Sequence, residues 1–136
     1  MPSWSSRFVR TALLNLLLGF LLGGIVLAGK GGLPGARTVL WLWPAHAELV
    51  MIGWTAQLVI GVAYWILPRY PVQPERGRVA PVAVAFVLLN AGVWSVVVAV
   101  FPGTPAWLAG IGRCAEALAL GLFVIHAWPR VKAFGR

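Results

Sequence analysis

The chain has 136 residues, 60% hydrophobic and 10% charged, and its eleven Lys and Arg against three acidic residues give a net charge of +8. A soluble domain carries about 25% charged residues, so these proportions exclude a water-facing globular surface and fit a chain whose solvent is lipid. The basic residues sit in short stretches between long apolar runs, which excludes nucleic acid as the reason for the charge, and the single cysteine, Cys114, excludes an intrachain disulfide or a Cys-based metal framework.

Four apolar segments follow in chain order, each long enough to cross about 30 Å of hydrocarbon as a helix. They are continuous runs rather than the alternating segments of about 10 residues that a membrane barrel needs. The first covers 11–29. It is long and lacks a small-x-small cleavage pattern, so it reads as a retained helix and not a signal peptide. A Gly-rich link containing Pro34 leads to the second, over 40–67. A proline-rich, charged link then leads to the third, over 79–101. The turn Pro102-Gly103-Thr104-Pro105 connects it to the fourth, over 106–128. Links this short place consecutive helices side by side and antiparallel. The predicted fold is all-α: one integral membrane four-helix bundle, residues 1–136, with no separate soluble domain.

Charge orients the bundle in its bilayer. Arg7, Arg10, Arg69, Arg76, Arg78, Arg130, Lys132 and Arg136 gather on one side, against Lys30 and Arg37 on the other. The first side is therefore the cytoplasmic one, with both chain ends in, as in the inner (cytoplasmic) membrane of a prokaryote. Trp41, Trp43 and Trp107 mark the outer interface, and Trp65 and Trp128 the inner one. Trp54 and Trp94 fall at membrane depth, for packing between helices or for a place beside a cofactor ring.

Ionisable groups inside a membrane are costly, so they are the first candidates for function. His46 and Glu48 lie in the second helix, and Arg113, Glu116 and His126 in the fourth. At 1.5 Å per residue, the first four share a layer in the outer half of the membrane, and His126 lies about 25–30 Å away in depth. At about 100° per residue, His46, Gly53, Gln57 and Tyr64 form one stripe, with Gly61 beside it and Glu48 pointing away. A histidine followed by glycine on one stripe can reach a metal and leave room for a flat ring. The same glycines also serve close helix packing. Arg113 and Glu116 are three residues apart and can pair on one helix surface, or Arg113 can meet a carboxylate from outside the chain. Glu48 is a counter-ion or faces the aqueous rim. His126 reads as an interfacial polar residue beside Trp128, and Cys114 as a small buried hydrophobe.

The stretch His46-Ala47-Glu48-Leu49-Val50-Met51-Ile52-Gly53-Trp54, continued by Ile60-Gly61-Val62-Ala63-Tyr64 and closed by Pro68-Arg69, resembles the second helix of the large subunit of haem–copper oxidases and nitric oxide reductases. It is similar also to small four-helix membrane proteins that carry the same helix. The resemblance covers about 24 residues and implies that His46 is an axial iron ligand of a haem b. The carry-over rests on His46 alone; Gly53 and Gln57 on its stripe, and Arg113 with Glu116 at its depth, are the further candidates for contact with a cofactor, Arg113 with a haem propionate. The chain departs from that family in size. It also lacks a tyrosine-linked histidine, a histidine pair for copper and a second haem-ligand helix. No catalytic residue is assigned, and oxygen reduction by this chain alone is not implied.

One suitable histidine per chain suggests a homodimer with a haem between two copies of His46, or a five-coordinate haem open to oxygen or nitric oxide. The leading expectation is thus a membrane b-type haem protein in electron transfer or gas binding. The alternative is a haem-free accessory subunit of a larger respiratory oxidase or nitric oxide reductase complex. A transporter component is disfavoured, because no pair of broken helices is present to form a pathway.

Overall fold

Hydrocarbon offers no partner for backbone N–H and C=O groups, so an apolar chain in lipid closes its hydrogen bonds within helices. The computed structural model describes residues 1–32, 36–71 and 73–131. Pro34, Lys132, Arg136 and the side chain of Arg37 lie outside the described residues. Four helices are long and apolar enough to cross a membrane: α1 (Ser3–Lys30), α2 (Thr38–Ile66), α3 (Val79–Ala99) and α4 (Trp107–Arg130). They form an all-α four-helix bundle. Apolar side chains cover its outside, among them Leu17, Phe20, Val87 and Ile125, as a lipid-embedded protein requires.

α1 begins at Ser3 and not at 11, because its first turns carry their own interfacial pair: the Arg7 guanidinium stacks 4.4 Å from the Trp4 ring centroid. α2 changes its winding along its length. A 3-10 stretch, Ala36–Leu42, leads into α-helix over Trp43–Glu48, π-helix over Leu49–Ala56 and α-helix again over Gln57–Ile66. The backbone stays right-handed through both joins, at Glu48 and at Gln57, so the span bends its hydrogen-bond pattern without breaking.

Two hairpins pair within the bundle, and each is closed by glycine. In the α1–α2 hairpin the seam runs in steps from the Ser3 end of α1 to its Lys30 end. Ser5 donates to the Gly61 carbonyl. Asn15 donates to the Gly53 carbonyl at 2.9 Å and to Gln57 Oε1 at 3.3 Å. A Cβ on Gly19 would meet Val50, and one on Gly23 would meet His46. In the α3–α4 hairpin, Gly92 and Gly112 cross backbone to backbone: a Cβ on either would stand 2.7–2.8 Å from the other's carbonyl oxygen. Between the hairpins, Phe8, Ile60, Val82, Leu89 and Phe123 form the core of one half, and Ala45, Leu49, Val93 and Val97 that of the other.

The half richer in Arg, called here the basic end, brings together the start of α1, the end of α2, the start of α3 and the end of α4. Arg130 turns inward there and is 1% exposed. Its Nε donates to the Pro68 carbonyl at 3.0 Å, and its Nη2 donates to those of Tyr64 at 3.1 Å and Leu67 at 2.8 Å. Tyr64 lies in the last turn of α2, and Leu67 and Pro68 follow its end directly, so none of these carbonyls has a continuing helix to accept from. One guanidinium thus caps α2 from the end of α4. Replacing Arg130 with Ala should lower stability by about 3 kcal/mol, since charged hydrogen bonds are lost and buried carbonyls are left bare. Unfolding in mixed micelles would measure it, and Arg130→Lys, lacking the planar fork, should recover less than half of the loss.

Candidate functional site

His46 sits in the first α-helical turns of α2, following Trp43-Pro44, where Pro44 fits a helix start because its missing N–H has no intrahelical role there. Its ring faces α1. Nδ1 lies 2.7 Å from the Gly19 carbonyl oxygen. A carbonyl only accepts, so Nδ1 carries the proton and donates, and Nε2 keeps its lone pair for another partner. The ring lies so close to Gly23 that a Cβ there would stand 2.7 Å from it. The Trp43 ring is 5.4 Å away, centroid to centroid, and carries the Lys30 ammonium 4.7 Å from its own centroid. Beside His46 opens a cleft of about 390 Å³, lined by Phe20, Gly23, Gly24, Leu27, Lys30 and Trp43. Phe20 and Leu27 are exposed, so the cleft opens on the outside of the bundle.

The stripe His46, Gly53, Gln57 does share one face of α2, and that face is the α1 seam. The space above Gly53 is filled by the Asn15 side chain, 3.0–3.1 Å from where a Cβ would be. Gln57 is fully buried against the same Asn15. A flat ring has no room along Gly53 and Gln57; the imidazole itself lies against Gly23, and the open wall beside it belongs to Gly24 of α1. The sequence shows Asn15 as a neutral polar residue in the first apolar segment, but one amide in a leucine run carries no periodic signal that names its partner. Its partner glycine on the α2 stripe was the available clue.

A second cluster lies across α2 from the seam. Arg113 of α4 sets Nη1 2.6 Å from Glu48 Oε2 and 3.0 Å from Glu116 Oε2. Glu48 is 2% and Glu116 4% exposed, whereas the Arg113 side chain is 55% exposed. The i,i+3 pair on α4 is present, and Glu48 joins it as a second counter-ion rather than facing an aqueous rim. Gly92 of α3 makes this possible: a Cβ there would run into Glu116 Cγ at 2.7 Å. A separate cleft of about 400 Å³ leads to Glu48 and Arg113 past Trp43, Pro44, Ala47, Met51 and Ile52. His46 and the Arg113 cluster therefore line different clefts, with Trp43 as the wall between them, and the structure does not bring them to one pocket.

Three further residues differ from expectation. Cys114 is exposed and not buried, because α4 turns that side outward between Arg113 and Glu116. Trp94 is largely exposed and touches neither cleft. His126 packs beside Tyr64, 6.1 Å between centroids, and behind Gly77 of the α2–α3 link, so it belongs to the clamp at the basic end.

Among the described residues no group of three His, Cys, Asp or Glu could hold a metal ion. No family model, curated protein or solved structure matches the chain. Function has to be argued from the two clefts.

The ion cluster should behave as a unit. Arg113→Leu strands two buried carboxyls and should cost about 3–5 kcal/mol. The triple replacement of Arg113, Glu48 and Glu116 by Leu, Leu and Leu should lose much less. Comparing the unfolding midpoints in one micelle system tests this, and a triple variant that loses the sum of the three single replacements would show that the three act independently.

Proposed function

We propose that this chain is a small accessory subunit of a larger membrane complex, and that the side of the bundle bearing the His46 cleft meets the partner. The resemblance of the His46–Arg69 stretch suggests a respiratory oxidase or nitric oxide reductase as the setting. The observation that carries the reading is polar chemistry on the outside of the bundle at membrane depth. His46 opens into a cleft whose rim is exposed, and Arg113 presents more than half of its side chain. Against hydrocarbon an Arg near the centre costs about 2.5–3.5 kcal/mol on insertion scales, and such groups normally face protein or water. A protein surface laid over these clefts removes that cost and buries the apolar rim of Phe20 and Leu27.

A second reading is favoured by the set of the His46 ring. Fixing Nδ1–H on a backbone carbonyl selects the tautomer whose Nε2 can bind iron, the usual arrangement for a metal-ligating histidine. Gly23 seats the imidazole, Gly24 leaves the wall beside it bare, and Lys30 is the cation at the rim. These residues fit one face of a haem b, with His46 as the axial ligand and Lys30 placed for a propionate. A haem bound there would supply one-electron or gas-binding chemistry. Arg113 and Glu116 line the other cleft, so neither takes part in this reading. The cleft is open on one side, so a second surface, from a partner or a second copy, would cover the other face.

One preparation tests both readings. A photo-crosslinking residue at Leu27, inside the cleft, should give a discrete protein adduct in native membranes, and the same residue at Ile125 should not. Adducts with lipid alone at both positions would remove the accessory-subunit reading. Optical spectra of the purified protein, oxidised and reduced, then decide about haem. Split visible bands on reduction that vanish in His46→Ala establish the haem form, and a colourless protein from haem-supplied cells leaves the haem-free subunit.

A further inference from the structure

The set of the His46 ring restricts what can fill the cleft beside it. Nδ1 donates to the Gly19 carbonyl, so in the neutral ring Nε2 accepts and cannot donate. Among the described residues Nε2 has no hydrogen-bond partner, and it is not one of the buried unpartnered atoms, so it is reachable from the cleft that the ring lines. An occupant must therefore bring its own O–H or N–H. It must also dissolve in hydrocarbon, because His46 lies within a membrane span and the rim residues Phe20 and Leu27 face outward. A planar, aromatic body suits the walls: Gly24 leaves open space where a side chain would stand, and the Trp43 ring lines the same cleft. The Lys30 ammonium, carried on Trp43, supplies a donor at the rim for a second oxygen. The volume of about 390 Å³ falls in the range of small-molecule sites, about 300–1,000 Å³.

We propose that the cleft binds a lipid-soluble hydroquinone: an aromatic ring with two hydroxyls and a long apolar tail. One hydroxyl donates to His46 Nε2, and the other oxygen accepts from Lys30. The ring lies on the open wall at Gly24, beside Trp43, and the tail leaves past Phe20 and Leu27 into the lipid. A phospholipid satisfies only half of this chemistry. Its phosphate diester can meet Lys30 but has no hydrogen to give to Nε2. The oxidised quinone has the same defect, since both of its ring oxygens only accept. The proposal rests on the haem-free reading of the cleft, because iron would take the same lone pair. In that reading the partner subunit closes the cleft over the ring.

The test uses the full chain purified in one detergent and follows Tm by the circular dichroism of its helices. The probes are decylubiquinol and decylubiquinone, each titrated at a fixed detergent concentration. The quinol should raise Tm by a few degrees in a saturable way, as a ligand of the folded state does. The quinone should need about tenfold more for the same shift, the worth of one hydrogen bond. His46→Phe removes the acceptor and should erase the difference between the two probes. If that variant does not fold, Gly24→Leu decides: nothing stands within 4 Å of its Cβ position, so the fold tolerates the side chain, which should occupy the cleft and abolish both shifts. Equal shifts from quinol and quinone would overturn the proposal. So would a shift that survives Gly24→Leu, or stabilisation by phosphatidylglycerol that the quinol cannot displace. A haem spectrum that vanishes in His46→Ala would overturn it together with the reading it rests on. A colourless protein that ignores decylubiquinol would overturn it alone and leave the accessory subunit standing.

Discussion

In hydrocarbon, leucine gains little by leaving lipid for another leucine, so a membrane bundle depends on how closely its helices approach and on the polar bonds they share. This chain meets that constraint with glycine. Gly92 and Gly112 let α3 and α4 touch at the backbone, and Gly19, Gly23, Gly53 and Gly61 seat the side chains of the facing helix in the α1–α2 seam. The polar bonds are laid over the glycines: Ser5 on Gly61, Asn15 on Gly53, His46 on Gly19. Both candidate clefts follow from the same device. Gly23 seats the His46 ring while Gly24 opens the wall beside it, and Gly92 makes room for Glu116 to reach Arg113.

The spans were legible in the sequence because hydrocarbon thickness fixes their length and charge marks their ends. The 100° stripe of α2 was legible too, and His46, Gly53 and Gln57 do face one way. What faced them was not legible. A stripe says which side is turned inward and is silent about the occupant; here it is Asn15 and the glycines of α1. The outer-layer placement of Glu48, Arg113 and Glu116 followed from rise alone. Their meeting at one guanidinium nitrogen depends on how the second hairpin sits against the first, which local pattern does not encode. In the sequence Arg130 counts only as one of the basic residues that mark one side of the membrane. It is buried because the unpaired carbonyls of α2 attract it, and those carbonyls belong to a segment more than sixty residues earlier. The π-helical stretch left no trace in the apolar pattern, since Leu49–Ala56 is apolar almost all round.

Trp43 organises the half of the bundle opposite the basic end. It leans on the His46 ring, carries Lys30 on its face, and lines both clefts. A large indole in that position separates the imidazole of His46 from the carboxylates paired with Arg113. The two kinds of chemistry stay apart although their histidine and glutamate are two residues apart on one helix.

The Arg130 clamp also has a consequence for synthesis. The arginine is made 66 residues after Tyr64, whose carbonyl it caps. At a translation rate of about 5–20 residues per second, that interval is on the order of 3–13 s. Until then the Tyr64, Leu67 and Pro68 carbonyls lack the guanidinium, so a chain cut short before Arg130 carries its first three helices without the residue that locks the second one.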